Sequence, residues 1–372
     1  MPELKNQHFV PRCLLKPFTL DRAGKCISLY AMAAERLVQS APVKNQCSRD
    51  YFYGEDLVIE RTLQPLESES AAIISAVDQH GFVLTQASEA MLRLFWLVQH
   101  QRTEATSQYV MSMVDGIADL LEAPGRRAPR IDRREAVQIA MSSIGGLIAA
   151  TGDMKVCLLR NNTEVPFVLG DDPATLANKW HDLDARAKRA PHGMKSAGAI
   201  FLMPLTPKVA FVQYDPDVYA VESKQGWVTL RSTHDVNAIN QHQYLSAISN
   251  VYFSPFDQAD YVVAQATLLK PARPTERIRL WYGTLGSTDG GVQRFDHVAR
   301  APDGPHEGMV THEHVRAKPT TWPSFLTWRF KGSVYTNRSG AGFVRRSAAL
   351  EMNQQMAIAR RGEPFRKSLA RP

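Results

Sequence analysis

Two neighbouring stretches constrain the fold more than any other part of the chain: PFVLGDDP at residues 166–173, and AIFLMPLTPKVAFVQYD at residues 199–215. The first is a short strand-like run that ends in two adjacent carboxylates, Asp171 and Asp172. Pro173 then has the form of a first helical residue, with Asp172 as its N-cap. Acids at the end of a strand reach the rim of a sheet, where a ligand can meet them. The same residues also serve simply to cap a helix, so the stretch organises the chain without naming its chemistry. In the second stretch, residues 199–203 and 208–213 read as strands. Pro204 and Pro207 fall in their connection, where they cost no ladder hydrogen bonds.

The rest of the chain arranges itself around this centre. Residues 6–18 read as a short strand or turn leading into a brief helix, and residues 26–32 as a strand. Residues 55–79 have helical periodicity interrupted by Pro65, with Glu60 and Glu67 two turns apart on one face. The longest amphipathic stretch runs from about Ser88 to Leu121. A proline- and glycine-broken segment at 123–130 follows, then a second helix from about Arg133 to Ala150. Beyond residue 151 strand-like runs at 154–159, 166–169 and 227–230 join the two above, and residues 234–253 read as a helix. Residues 283–308 are glycine-rich and poor in apolar side chains, which reads as a long loop. Residues 325–346 fit a basic hairpin around 337–342, and 352–372 a frayed basic helix and tail. The expected class is α+β: a mainly helical N-terminal part (55–150), a small antiparallel sheet with its helix (151–260), and a basic, loop-rich C-terminal extension (261–372).

Charge is unevenly spread along the 372 residues. From Pro271 onward there are 17 Lys and Arg against 8 Asp and Glu, a local +9 against the chain's net +7, so the first 270 residues are near neutral. Such asymmetry points to contact with nucleic acid or another polyanion; a solvated basic tail is the plain alternative. Four cysteines without a CxxC pair fit neither a disulfide scaffold nor a zinc knot. With no secretory leader and no apolar run near the roughly 18 residues that span a bilayer, a cytoplasmic protein without membrane contact is expected.

In order along the chain, NQHFVPRCLLKPF (6–18), VIERTLQPLE (58–67), LVQHQRT (97–103), GDDP (170–173), IFLMPLTP (200–207) and VNAINQHQYLSAISNVY (236–252) resemble the domain-of-unknown-function family 4238. The resemblance spans about residues 6–255. It departs at Asp172, where the family pattern has a small polar residue, and it implies a frame of candidate positions without a reaction.

Each candidate has a chemical and a structural reading. His8 could act as a general base or pin the N-terminal strand through backbone hydrogen bonds. Arg12 could bind a phosphate or pair with Glu60. Glu60 and Asp171 could hold a divalent metal such as magnesium or move protons, whereas helix acids such as Glu60 and Glu67 more often pair with arginine. Arg102, beside Gln99 and Gln101, needs an acid partner if buried, with Asp171 and Glu60 the first choices. Asp172 reads as the N-cap, leaving Asp171 as the freer acid. Asn237 and Asn240, about one turn apart, could bind a ligand or hold a sheet–helix contact, with His242 facing solvent.

GxSxG, GxxxxGK[ST], HExxH and zinc-deaminase patterns are absent. The leading expectation is therefore a hydrolase-like enzyme for a nucleotide or nucleic-acid phosphate. His8, Glu60 and Asp171 would act in catalysis, with Arg12, Gln101, Arg102, Asn237 and Asn240 binding substrate. The competing expectation is a non-catalytic nucleic-acid- or protein-binding module that uses the basic C-terminal quarter, as in a bacterial or phage defence or toxin component.

Overall fold

A computed structural model describes residues 5–79, 81–121, 128–187, 192–289, 292–299, 301–302, 304, 306–330, 332–336, 341–351 and 357–360. It is an α+β fold in which helices dominate the N-terminal half. At its centre lies a five-stranded sheet in the order Trp227–Leu230, Lys155–Asn161, Val209–Tyr214, Ile200–Thr206, Thr175–Ala177. All neighbours are antiparallel except the first pair, which is parallel. The two strands from the 199–215 stretch are buried along their whole length, which explains their unbroken apolar character. Phe201, Met203, Leu205 and Phe211 point into one core, and Ile200, Leu202, Ala210 and Val212 into the other. Pro204 sits in the strand at a register irregularity, where the ladder is already broken.

The first core is covered by helices. Helix Val58–Ala76 runs through Pro65, so the expected interruption is absent; the ring sits on an exposed turn. The long amphipathic stretch divides into Gln86–Gln101 and Glu104–Leu121, breaking at Arg102 and Thr103, and the next one divides into Arg133–Ser142 and Ile144–Ala149. Thr85 with Ser88, and Asp132 with Glu135, close capping boxes that fix two of these starts. A second sheet, in the order Arg36–Pro42, Cys26–Ala31, Asn250–Phe253, Leu169–Gly170, packs with helices Thr233–Ser246 and Ala259–Leu269 around a third core.

Several expectations need correction. No helix follows Pro173; residues Thr175–Ala177 form an edge strand. The stretch 234–253 is a helix only to Ser246, and its end is the strand Asn250–Phe253. The long loop expected at 283–308 gives way to strands over much of its length, because Ile278–Asp289 pairs with both Val292–Val298 and Gly308–His314. In the 325–346 region, Ser333–Thr336 pairs with Ala357–Arg360; the expected turn at 337–340 and most of the expected tail (352–356, 361–372) lie outside the described residues. Among the described residues no helix is long and apolar enough to cross a membrane.

Candidate functional site

The residues named from sequence fall into three separate networks. The first gathers His8, Arg12, Glu60, Glu67 and Arg102. Arg102 ends the helix Gln86–Gln101 and is 1% exposed. Its guanidinium donates to Glu67 Oε1 at 2.6 Å, Tyr53 Oη at 2.8 Å and the His8 carbonyl at 2.6 Å. Glu67 is thus the acid partner, not Asp171 or Glu60. His8 is buried, and among the described residues its Nε2 has no hydrogen-bond partner. Burial, then the charge of exposed Arg12, lowers its pKa to about 4, so the ring is neutral at pH 7. Burial raises the Glu60 carboxyl, with Arg102 opposing. Every arm of Arg102 is used within the fold, which makes this network a brace between the N-terminal strand and two helices.

The second network clamps residues 166–173. Asp171 accepts from the backbone N–H groups of Ile248 (2.8 Å), Ser249 (2.7 Å) and Asn250 (3.1 Å). Asp171 is therefore the committed acid, and Asp172 the freer one, the reverse of the expectation. Asn240 accepts from Val168 N–H at 3.0 Å and donates to the Pro166 carbonyl at 2.9 Å. Gln243 holds Gly170 N–H and the Pro173 carbonyl in the same manner. Asn237 accepts from the Tyr261 hydroxyl at 2.7 Å, and that hydroxyl accepts in turn from Asn240 at 3.1 Å. Gln101 lies elsewhere, lining a shallow, mainly apolar hollow with Leu147, Met194 and Val344.

The third network is a cleft, and of the sequence candidates only Asp172 among the acids lines it. Two adjoining cavities of about 60 and 240 Å³ share His242, His314 and Arg316 in their walls. The smaller is also lined by His100, Asp172, Ser246 and Arg277, the larger by His181, Asp182, His192 and Trp322. Asp172 accepts from the Thr103 hydroxyl at 2.9 Å. Burial pushes its pKa up to about 6 against the charge of Arg277 and that hydroxyl, so its acid form stays accessible near neutrality. Arg277 donates to the carbonyls of Ser246 and Ala247, and Arg316 to the carbonyl of His192 at 3.0 Å. Withdrawal from water lowers the Arg316 pKa to about 10. Among the described residues neither arginine forms an ion pair within 4 Å.

His100 closes the floor, stacked at 4.9 Å on Trp96, which in turn stacks on Phe201 at 4.1 Å. His242, expected in solvent, is 6% exposed, and among the described residues its Nε2 has no hydrogen-bond partner. His314 stacks on Tyr109 at 4.5 Å. Burial holds His100 and His242 at about 4 and keeps His314 well below the ordinary imidazole range, so all three rings are neutral at pH 7. Glu60 and Asp171 stand in different networks, and among the described residues no group of three or more His, Cys, Asp or Glu is placed to hold a metal.

Sequence reading missed this cleft because its histidines, at 100, 181, 192, 242 and 314, have no common spacing. One signal was present. In THEHVRAK (311–318), His314, Arg316 and Lys318 alternate at the period of an extended strand, which puts them on one face.

No curated protein matches the chain, and no solved structure matches it. A family model matches residues 6–257, about two-thirds of the chain, and on that match the chain belongs to the family described as protein of unknown function DUF4238.

Proposed function

We propose that the chain is a hydrolase-like enzyme acting on a small phosphate-bearing molecule of about nucleotide size, held in the cleft between Arg277, Arg316 and Asp172. The observation that carries this reading is that two guanidiniums line one cavity and, among the described residues, neither has a carboxylate within 4 Å, the charges of Asp172 and Glu313 reaching Arg316 only from further off. A cation withdrawn from water without a directly paired counter-charge is costly, and an anionic ligand reduces that cost. Arginine presents a planar fork of donors suited to phosphate oxygens. Asp172, with a pKa near 6, can give a proton to a leaving oxygen, and the neutral imidazoles around it can accept one. The cleft's size favours a small ligand over a duplex, and the rim cations Arg279 and Lys318 are paired with Glu313 and Asp182.

Calorimetric titration with inorganic phosphate and with a nucleoside monophosphate tests the reading. Binding is expected to weaken at least tenfold in Arg316→Gln and in Arg277→Gln, with the melting temperature unchanged or raised. Equal binding by wild type and both variants, or none by wild type, overturns it. Tighter binding of a single-stranded oligonucleotide, insensitive to both substitutions, would instead favour a nucleic-acid-binding module.

A further inference from the structure

We propose that His100 Nε2 is the nucleophile of the cleft, attacking phosphorus to form a phosphohistidine intermediate; this rests on the phosphate reading above. The tautomer is fixed by geometry. His100 Nδ1 lies 2.6 Å from the Ala174 carbonyl oxygen, which can only accept, so Nδ1 carries the hydrogen and Nε2 keeps a lone pair. Among the described residues Nε2 has no protein hydrogen-bond partner, and the ring lines the small cavity with Arg277, Arg316 and Asp172. The other ring nitrogen is used by the Ala174 carbonyl, so Nε2 is the atom of this cavity-lining ring left to meet a ligand.

The surroundings suit a ring that becomes cationic during the reaction. The Ala174 carbonyl accepts from Nδ1–H more strongly once the ring is positive, and the Trp96 face lies parallel to it with an interplanar angle of 11°. Burial keeps the free ring unprotonated at neutral pH, which leaves the lone pair available.

In the first step the Nε2 lone pair forms a bond to phosphorus while the P–O ester bond breaks. The leaving oxygen takes the proton of the Asp172 carboxyl. In the second step a water oxygen attacks phosphorus, the P–Nε2 bond breaks, and its electron pair returns to the ring. The water's proton passes to the Asp172 carboxylate, which restores the starting state. Arg277 and Arg316 hold the transferring group's oxygens in both steps.

Incubation with phosphoramidate, a small phosphoryl donor, tests this. Wild-type protein is expected to take up close to one phosphate per chain, stable in base and lost in acid, on the peptide carrying His100 by tandem mass spectrometry. His100→Gln is expected to take up at least tenfold less while binding inorganic phosphate within threefold of wild type. Should that variant fail to fold, the peptide assignment in wild type still decides. Phosphate binding by wild type without uptake, or uptake on another residue, overturns the nucleophile and leaves the phosphate reading standing. No phosphate binding at all overturns both.

Discussion

At the scale of single residues, Arg102, fully buried, and Arg316, half-buried in the cleft wall, are two cations with opposite expected behaviour. Arg102 has three partners inside the fold, one of them the carboxylate of Glu67. Replacing it with methionine strands Glu67 and leaves the Tyr53 hydroxyl and the His8 carbonyl only the bond between them, at 3.1 Å. Breaking a buried pair in this way costs about 3–5 kcal/mol. Arg102→Met should therefore lower the denaturation midpoint sharply, and the fraction that folds should still bind phosphate. Arg316 has no carboxylate to strand, so Arg316→Gln should cost less than about 1 kcal/mol and lose binding. If Arg316→Gln proved as destabilising as Arg102→Met, Arg316 would be scaffold and the cleft would lose its main anion-binding group. The same contrast separates the two adjacent acids. Asp171→Ala leaves three backbone N–H groups unpaired, at about 1–3 kcal/mol each if water cannot reach them. Asp172→Asn keeps an acceptor for the Thr103 hydroxyl and removes only the ionisable carboxyl.

Among the elements, the strand Ile278–Asp289 and the extended segment after Gly308–His314 decide whether the cleft exists, because they bring Arg277, His314 and Arg316 against the helical half. Helix Glu104–Leu121 packs on this sheet through Gly116, where an added Cβ would lie 2.1 Å from Leu280 Cδ1. In an isolated helix Gly→Ala gains about 1 kcal/mol. Here Gly116→Val should reverse that sign, costing about 1–3 kcal/mol by overpacking and weakening phosphate binding although residue 116 touches no ligand. A valine variant with wild-type affinity and stability would show that the sheet is not held by this contact. These strands were also the least legible elements. Gly283, Gly286 and the run of polar residues around them mimic a loop, since a sheet exposed on one face lacks the apolar density of Ile200–Thr206. By contrast the twin central strands, the amphipathic helices and the family frame were readable, because burial on both faces and helical periodicity write themselves into local sequence, whereas the one cap read there, Asp172 before Pro173, opens no helix. The late helix was overrun at Ser246 because what ends it is Asp171, distant in sequence and invisible to any local pattern.

For the whole molecule, the cleft is a consequence of two halves meeting. Asn240 and Gln243 fasten residues 166–173 from one side, and Arg102 braces the helices on the other. Arg345, 1% exposed, ties the C-terminal region inward through the Ala150 and Met194 carbonyls and Asp153. What the molecule keeps buried is a set of neutral histidines, and that fixes the sign of its response to acid. His8, His100 and His242 are held at about 4 and His192 at about 2, against roughly 6.5 in an unfolded chain. Their folded pKa values are depressed, so below 6.5 the unfolded state takes up protons that the native state refuses. Stability is then full above pH 6.5 and falls as pH drops toward 4. Each histidine contributes about 1–2 kcal/mol of loss by pH 5. Asp172 and Asp215, raised by burial to about 6, act in the opposite sense, since between about 3.8 and 6 the native state binds more of their protons. Four histidines against two such acids leave a net loss. Urea midpoints at pH 7.5 and pH 5.0 should show the protein weaker at the lower value, and His8→Gln should narrow the gap without touching the cleft. A midpoint that rises on acidification would mean that the buried acids dominate. The protonated Asp172 on which the catalytic proposal depends would then also stabilise the fold.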